Sequence, residues 1–232
     1  MLINILYDLI TIYRHGTTAV PFFERIFMIK VENLTITTRQ PILKSFTTTF
    51  KTRNIYQIMA ENGAGKSTFL KALTQLVNYK GAITFDNLPF NQIKEKIFFF
   101  EENSWLDPNL NSLDYLQFVK VSWHSQHDID TELSFWGIDQ FAKVPIKKYS
   151  LGMKQKLIIA MYLVSDAQYL LMDEITNGLD EENRNKLYCR LNDLISLNDK
   201  CIILTSHYAN EINNLNNVTK LKLENLTMNE VK

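Results

Sequence analysis

The chain has 232 residues, 46% of them hydrophobic, which suits one large domain or a domain carrying an inserted lobe. Its 25 basic and 25 acidic side chains balance, so no net field draws it to nucleic acid or an anionic membrane, and nucleic acid is set aside as a partner. Cys189 and Cys201 have no metal-ligand spacing and read as reduced thiols, and no apolar run reaches the ~18–20 residues of a membrane span.

Residues 1–27 read as an N-terminal extension. Leu2, Ile5, Leu6, Leu9, Ile10 and Tyr13 fall on one side of a helix at 3.6 periodicity, and Gly16 stops it. This amphipathic helix packs on its own domain or a partner, lies near a membrane interface, or is dispensable if translation starts at Met28. The domain proper then spans 28–232. Residues 28–36 and 42–50 read as strands, the second rich in β-branched and aromatic side chains, with a turn at Arg39, Gln40 and Pro41.

Residues 55–59 form an apolar strand that feeds residues 61–68, Glu-Asn-Gly-Ala-Gly-Lys-Ser-Thr. A helical pattern follows: Phe69, Leu70, Leu73, Leu76 and Val77. Strand, glycine loop, helix is the context of a phosphate-binding loop. There Asn62, Gly63, Ala64 and Gly65 curl the backbone so that N–H groups point at phosphate oxygens, and the helix N-terminus adds positive potential. Lys66 supplies charge to β- and γ-phosphates, and Ser67 a hydroxyl for Mg²⁺. Ala60 stands where the motif has its first glycine, which crowds the turn if that residue needs a positive φ.

Residues 81–85 read as a further strand. Residues 94–100 end in a run of phenylalanines, a buried strand with Glu101 and Glu102 at its carboxyl end, where open α/β sheets bind ligands. Helical stretches follow at 110–121 and 130–136, broken by Gly137 and Pro145. Ser150 suits an N-cap, and Gly152 permits close approach of backbone to a ligand. Residues 169–172 are an apolar strand that delivers Asp173 and Glu174: Asp173 to hold Mg²⁺, Glu174 to orient or deprotonate water. After a turn at 177–180 and a helix at 181–194, the apolar strand 201–204 delivers Thr205, Ser206 and His207. Residues 208–232 yield no assigned element.

The order of residues 61–68, the acidic pair 101–102, Ser150 to Gln155, Asp173 and Glu174 with Asn177 to Asp180, and His207 resembles the ATP-binding subunit of an ABC transporter, of an export type, over residues 28–207. The resemblance implies an α/β P-loop fold with a mixed, largely parallel sheet, an N-terminal antiparallel β-lobe and a helical subdomain at about 102–165. It implies ATP and Mg²⁺. Lys66 and His207 then contact β/γ-phosphates, Thr68 the α-phosphate, Ser67 and Asp173 the metal, and Glu174 is the catalytic base. The metal- and nucleotide-contacting Q-loop role falls to Glu102, with Glu101 as the alternative, and Asp180 belongs to a loop that communicates across a dimer. Ser150 and Gly152 of one subunit meet the nucleotide held by another, in a homo- or heterodimer. Membrane-spanning permease subunits dock on 102–145, which places the chain at the cytoplasmic face of the membrane. The cargo read by analogy is a hydrophobic or amphipathic peptide or drug. Alternatives are a soluble ATPase uncoupled from transport and a poorly hydrolytic regulatory subunit. Thr38 stands where an adenine-stacking aromatic is usual, a loss of about 1–3 kcal/mol of base affinity that Ile42 partly replaces, so weak nucleotide affinity and relaxed base choice are expected. Ile175 replaces the proline usual after the base.

Overall fold

The computed structural model describes residues 27–101, 103–206 and 215–231. The amphipathic pattern of residues 1–26, together with Glu102 and His207, lies outside them. Strands β1 (Met28–Thr37), β2 (Pro41–Lys51) and β4 (Lys80–Phe85) form an antiparallel sheet in the order β2-β1-β4. The second sheet has six strands in the order β5-β6-β7-β3-β8-β9: β5 (Ile97–Phe100), β6 (Tyr169–Met172), β7 (Cys201–Ser206), β3 (Asn54–Met59), β8 (Val218–Glu224) and β9 (Thr227–Val231). It is parallel from β5 to β8 and closes with the antiparallel β9.

Six helices punctuate the described chain: α1 (Lys66–Leu73), the single turn α2 (Phe90–Ile93), α3 (Ser112–Ser122), α4 (Ile129–Trp136), α5 (Leu151–Ser165) and α6 (Glu181–Leu197). Their ends follow local chemistry. Asn111 and Asp114 make a reciprocal capping box at α3, Asp128 caps α4, and left-handed Gly137 ends it. The apolar pattern after the glycine loop extends to Val77, but α1 stops at Leu73. Gln75 takes φ 58, and Leu76 is left 55% exposed.

Strands β3, β5, β6 and β7 are covered on both faces, so their side chains alternate between two cores. Ile55, Phe98, Leu170, Met172, Ile202 and Leu204 face the core shared with α3 to α6. Tyr56, Ile58, Ile97, Tyr169, Leu171, Cys201 and Ile203 face the other, shared with α1 and the antiparallel sheet. Tyr162 of α5 pins helix to sheet, its hydroxyl donating to Leu171 O at 2.5 Å and accepting from Phe100 N at 3.1 Å. The parallel pairing places Met59, Phe100, Met172 and Ser206 at one edge of the sheet, so Ala60, Glu101 and Asp173, which follow β3, β5 and β6, begin there.

Residues 218–231, unassigned from sequence, form the β8–β9 hairpin. Its turn residues Asn225 and Leu226 both take positive φ, 49° and 61°, the handedness that matches strand twist in a two-residue connection.

Candidate active site

At that edge, the loop after β3 turns back on itself into α1. Gly65 is the N-cap of α1 with φ 108, and Gly63 has φ 78, both in the region open to glycine. Gly65 is also fixed by space, because a Cβ there would stand 2.3 Å from Ile42 Cγ2. Ile42 of β2 therefore lies against the loop. Ala60 is not among the positive-φ residues, so its methyl group does not crowd the turn. Its carbonyl instead accepts from Lys66 Nζ at 3.1 Å, and Glu61 O lies at 3.5 Å. Lys66 is 5% exposed, a buried ammonium resting on carbonyl oxygens at the start of a helix. Asn62 and Gly63 are exposed, while Ala64, Ser67 and Thr68 are half-buried in the loop and first turn of α1.

Asp173 leaves the end of β6 beside that turn. The Ser67 hydroxyl hydrogen-bonds its carboxylate, and Thr205 Oγ1 donates to Oδ1 at 2.6 Å. The same Thr205 oxygen accepts from Glu174 N at 2.9 Å, so one hydroxyl sets both acidic residues. Burial pushes the Asp173 pKa up. Its hydrogen bonds to Ser67 and Thr205 oppose that, the neighbouring Glu174 charge adds to it, and Lys66 opposes it. A half-buried carboxylate with a raised pKa beside a hydroxyl is the donor set a hard divalent cation takes with phosphate oxygens and water.

Glu174 itself has φ 45, a left-handed conformation costly for a residue with a Cβ. Its Oε2 accepts from Asn177 Nδ2 at 2.7 Å, and its Oε1 lies 3.9 Å from Lys66 Nζ. A cleft of about 370 Å³ is lined by Ser67, Lys71, Glu101, Gln155, Asp173 and Glu174, among others. Glu101 pairs with Lys71 of α1 inside it. Of the acidic pair, Glu101 is thus the member described in the cleft, and Glu102 and His207 lie outside the described residues.

Ser150 and Gly152 do not line that cleft. Ser150 caps α5: its hydroxyl accepts from Met153 N at 3.2 Å, which leaves its O–H as a donor on an exposed surface. Gly152 abuts the loop after Glu174, where a Cβ would stand 3.3 Å from Gly178 O. Asp180 caps α6, accepting from Asn183 N at 2.8 Å, a bond that lowers its pKa. Thr38 is exposed at the end of β1, its hydroxyl turned to Gln40 O.

Sequence reasoning assigned no role to Thr205 or Lys71, and read Gln155 and Asn177 only as members of the segments 150–155 and 177–180. A Thr at the end of a buried strand was the visible signal for the first, but only the strand order β6-β7 puts it beside Asp173.

A family model described as "ABC transporter" matches residues 43–177. The chain is 32% identical over 192 residues to the lantibiotic transport ATP-binding protein SrtF of Streptococcus pyogenes, covering 81% of this chain and 83% of that one. It is also 32% identical over 197 residues to the ABC transporter ATP-binding protein YybJ of Bacillus subtilis, covering 80% and 88%. A solved ATP-binding subunit of an ABC transporter superposes with a TM-score of 0.78 at 21% identity, covering 88% of this chain and 90% of that one; at this identity the likeness is one of fold.

Proposed function

The chain belongs to the ABC transporter family, and from that premise we propose that it is the ATP-hydrolysing motor subunit of an exporter whose membrane-spanning subunits are separate chains. The observation that carries this is the shared Thr205 hydroxyl, which holds Asp173 on Ser67 and Glu174 beside the buried Lys66. Two carboxylates are set side by side, one in contact with the glycine loop and the other anchored to solvent-facing Asn177.

In this reading the loop N–H groups of residues 62–65 and the Lys66 ammonium bind the β- and γ-phosphates of ATP, and Thr68 binds the α-phosphate. Lys66 moves from the carbonyls of Ala60 and Glu61 to the phosphates. Ser67 and Asp173 would hold Mg²⁺, with Glu102, or Glu101 as the alternative, as a further ligand; the metal would supply charge to the phosphate oxygens. Glu174 orients the attacking water and accepts its proton, and His207 contacts the γ-phosphate. Ser150, exposed away from its own cleft, and half-buried Gly152 serve the site of a second ATPase subunit. The helices between β5 and β6 form the subdomain at about 102–165 that receives the permease. Among the described residues no helix is long and apolar enough to cross a membrane. In this reading the motor sits at the cytoplasmic face through the permease subunits. The cargo is a hydrophobic or amphipathic peptide or drug, a class supported by the lantibiotic transport relative. Exposed Thr38 offers no ring for adenine, and Ile42 against Gly65 supplies the apolar contact, which favours weak nucleotide affinity and relaxed base choice.

The test is ATP turnover of the purified complex with Glu174→Gln beside wild type. The variant should lose at least ~10²-fold in rate while still binding ATP. Equal rates would remove Glu174 as the base and favour the poorly hydrolytic regulatory subunit instead.

A further inference from the structure

We infer that Gln155 is a positioning residue for hydrolysis: it locks the first turns of α5 to the loop carrying Glu174, so that moving the Ser150 segment moves the chain's own base. This rests on the ATPase reading above. Gln155 is 5% exposed, and its Nε2 donates to Ile175 O at 2.6 Å. Ile175 follows Glu174 directly and is itself 2% exposed in the core. Two further contacts join the same pieces. A Cβ on Gly178 would stand 2.9 Å from Leu151 Cγ, so Leu151 seats on the bare backbone of that glycine. A Cβ on Gly152 would stand 3.3 Å from the Gly178 carbonyl oxygen, a tight approach. Residues 151, 152 and 155 lie on one face of the helix and meet 175–178 together.

The contact matters because of what it holds. Glu174 sits at φ 45, a conformation that persists only when its surroundings enforce it. Thr205 grips its N–H on one side, and the Gln155 bond grips the next carbonyl on the other. The outer end of the lever is open: Ser150 is exposed and Leu151 is 57% exposed, where a second subunit would bear on them. The inner part of α5 is buried and fixed to β6 through Tyr162. Apolar contacts such as Leu151 on Gly178 can slide, whereas a short hydrogen bond is directional. Gln155 is therefore the element that converts displacement of the helix start into displacement of Glu174. It would couple occupancy of one nucleotide site to the geometry of another.

The experiment uses the full chain with its co-purifying membrane subunits, and measures ATP turnover of wild type, Glu174→Gln, Gln155→Met and Gln155→Glu. Methionine keeps the volume and removes the donor. Its kcat should fall about tenfold with KM for ATP within about twofold, because geometry rather than binding is lost. The carboxyl introduced by Gln155→Glu donates to Ile175 O only when protonated, and burial pushes its pKa up. Its rate relative to wild type should therefore rise as pH falls from about 8.5 to about 6. Glu101, Asp173, Glu174 and Lys71 line the same cleft, so the profile is read as a ratio to wild type and beside that of Gln155→Met at each pH. A Gln155→Met kcat equal to wild type, or a Gln155→Glu ratio flat in pH, overturns the inference. If Gln155→Met does not fold, the Gln155→Glu profile decides. Should Glu174→Gln stall while both Gln155 variants match wild type, the inference alone falls; should wild type not hydrolyse ATP at all, the ATPase reading falls and takes it along.

Discussion

At Asp173 a single half-buried side chain carries a pH-dependent stability cost. Burial raises its pKa, so the folded chain binds a proton there more tightly than the unfolded chain does. The sign follows: its contribution to stability is complete below the ordinary Asp value of about 3.9, and is lost as pH rises through the higher folded value. At neutral pH the ionised carboxylate weakens the nucleotide-free fold. Asp173→Asn should therefore raise the melting temperature of the nucleotide-free chain near pH 7, with the gain shrinking towards pH 4, as a thermal-denaturation series across pH would record. The same variant should lose the extra stabilisation that Mg²⁺ adds to ATP binding. A variant that melts at the wild-type temperature at neutral pH would show that burial of this carboxylate costs nothing.

Between elements, the join of α4 to α6 rests on one buried charge. The Glu132 side chain is 1% exposed and accepts from Arg190 Nη2 at 2.8 Å and Trp136 Nε1 at 3.0 Å, with His127 Nε2 at 2.9 Å. Arg190 also lies 4.4 Å over the Phe135 ring. Glu132→Leu leaves Arg190 and Trp136 without their acceptor, and should cost about 3 kcal/mol in denaturant unfolding. Glu132→Gln keeps the acceptor and should cost less. Equal midpoints for Glu132→Leu and wild type would show that the packing of α4 on α6 carries the join alone. Elements of this kind were legible where their signals were local. The alternation in β1 and β2, the cap at Ser150 and the all-apolar β6 and β7 are present in sequence order. The β8–β9 hairpin was not legible: only Leu221 and Leu223 keep a period of two in β8, and its turn uses Asn225 and Leu226 rather than glycine. The end of α1 was hidden for the opposite reason: Val77 keeps the apolar period while the chain, outside the helix, packs that side chain on the second core.

For the whole molecule, the separation of Ser150 from its own cleft makes a prediction about assembly. Glu174→Gln with Mg-ATP should double in apparent mass on light scattering, and Ser150→Arg in that background should abolish the doubling while leaving ATP binding to the single chain intact. A persistent monomer in Glu174→Gln would place the Ser150 surface in some other contact. What the sequence by itself determined was chemistry carried by neighbours along the chain: the glycine loop with Lys66 and Ser67, the acidic pair after β6, and the family these residues resemble. What only the tertiary structure decided was which of these groups meet. Sheet order brings Thr205 between Asp173 and Glu174 and puts Glu101 on Lys71, and the packing of α5 on the sheet turns Gln155 to Ile175. Those partners lie far apart along the chain, and the parallel pairing of buried strands is what sets their distances, a relation that local pattern does not encode.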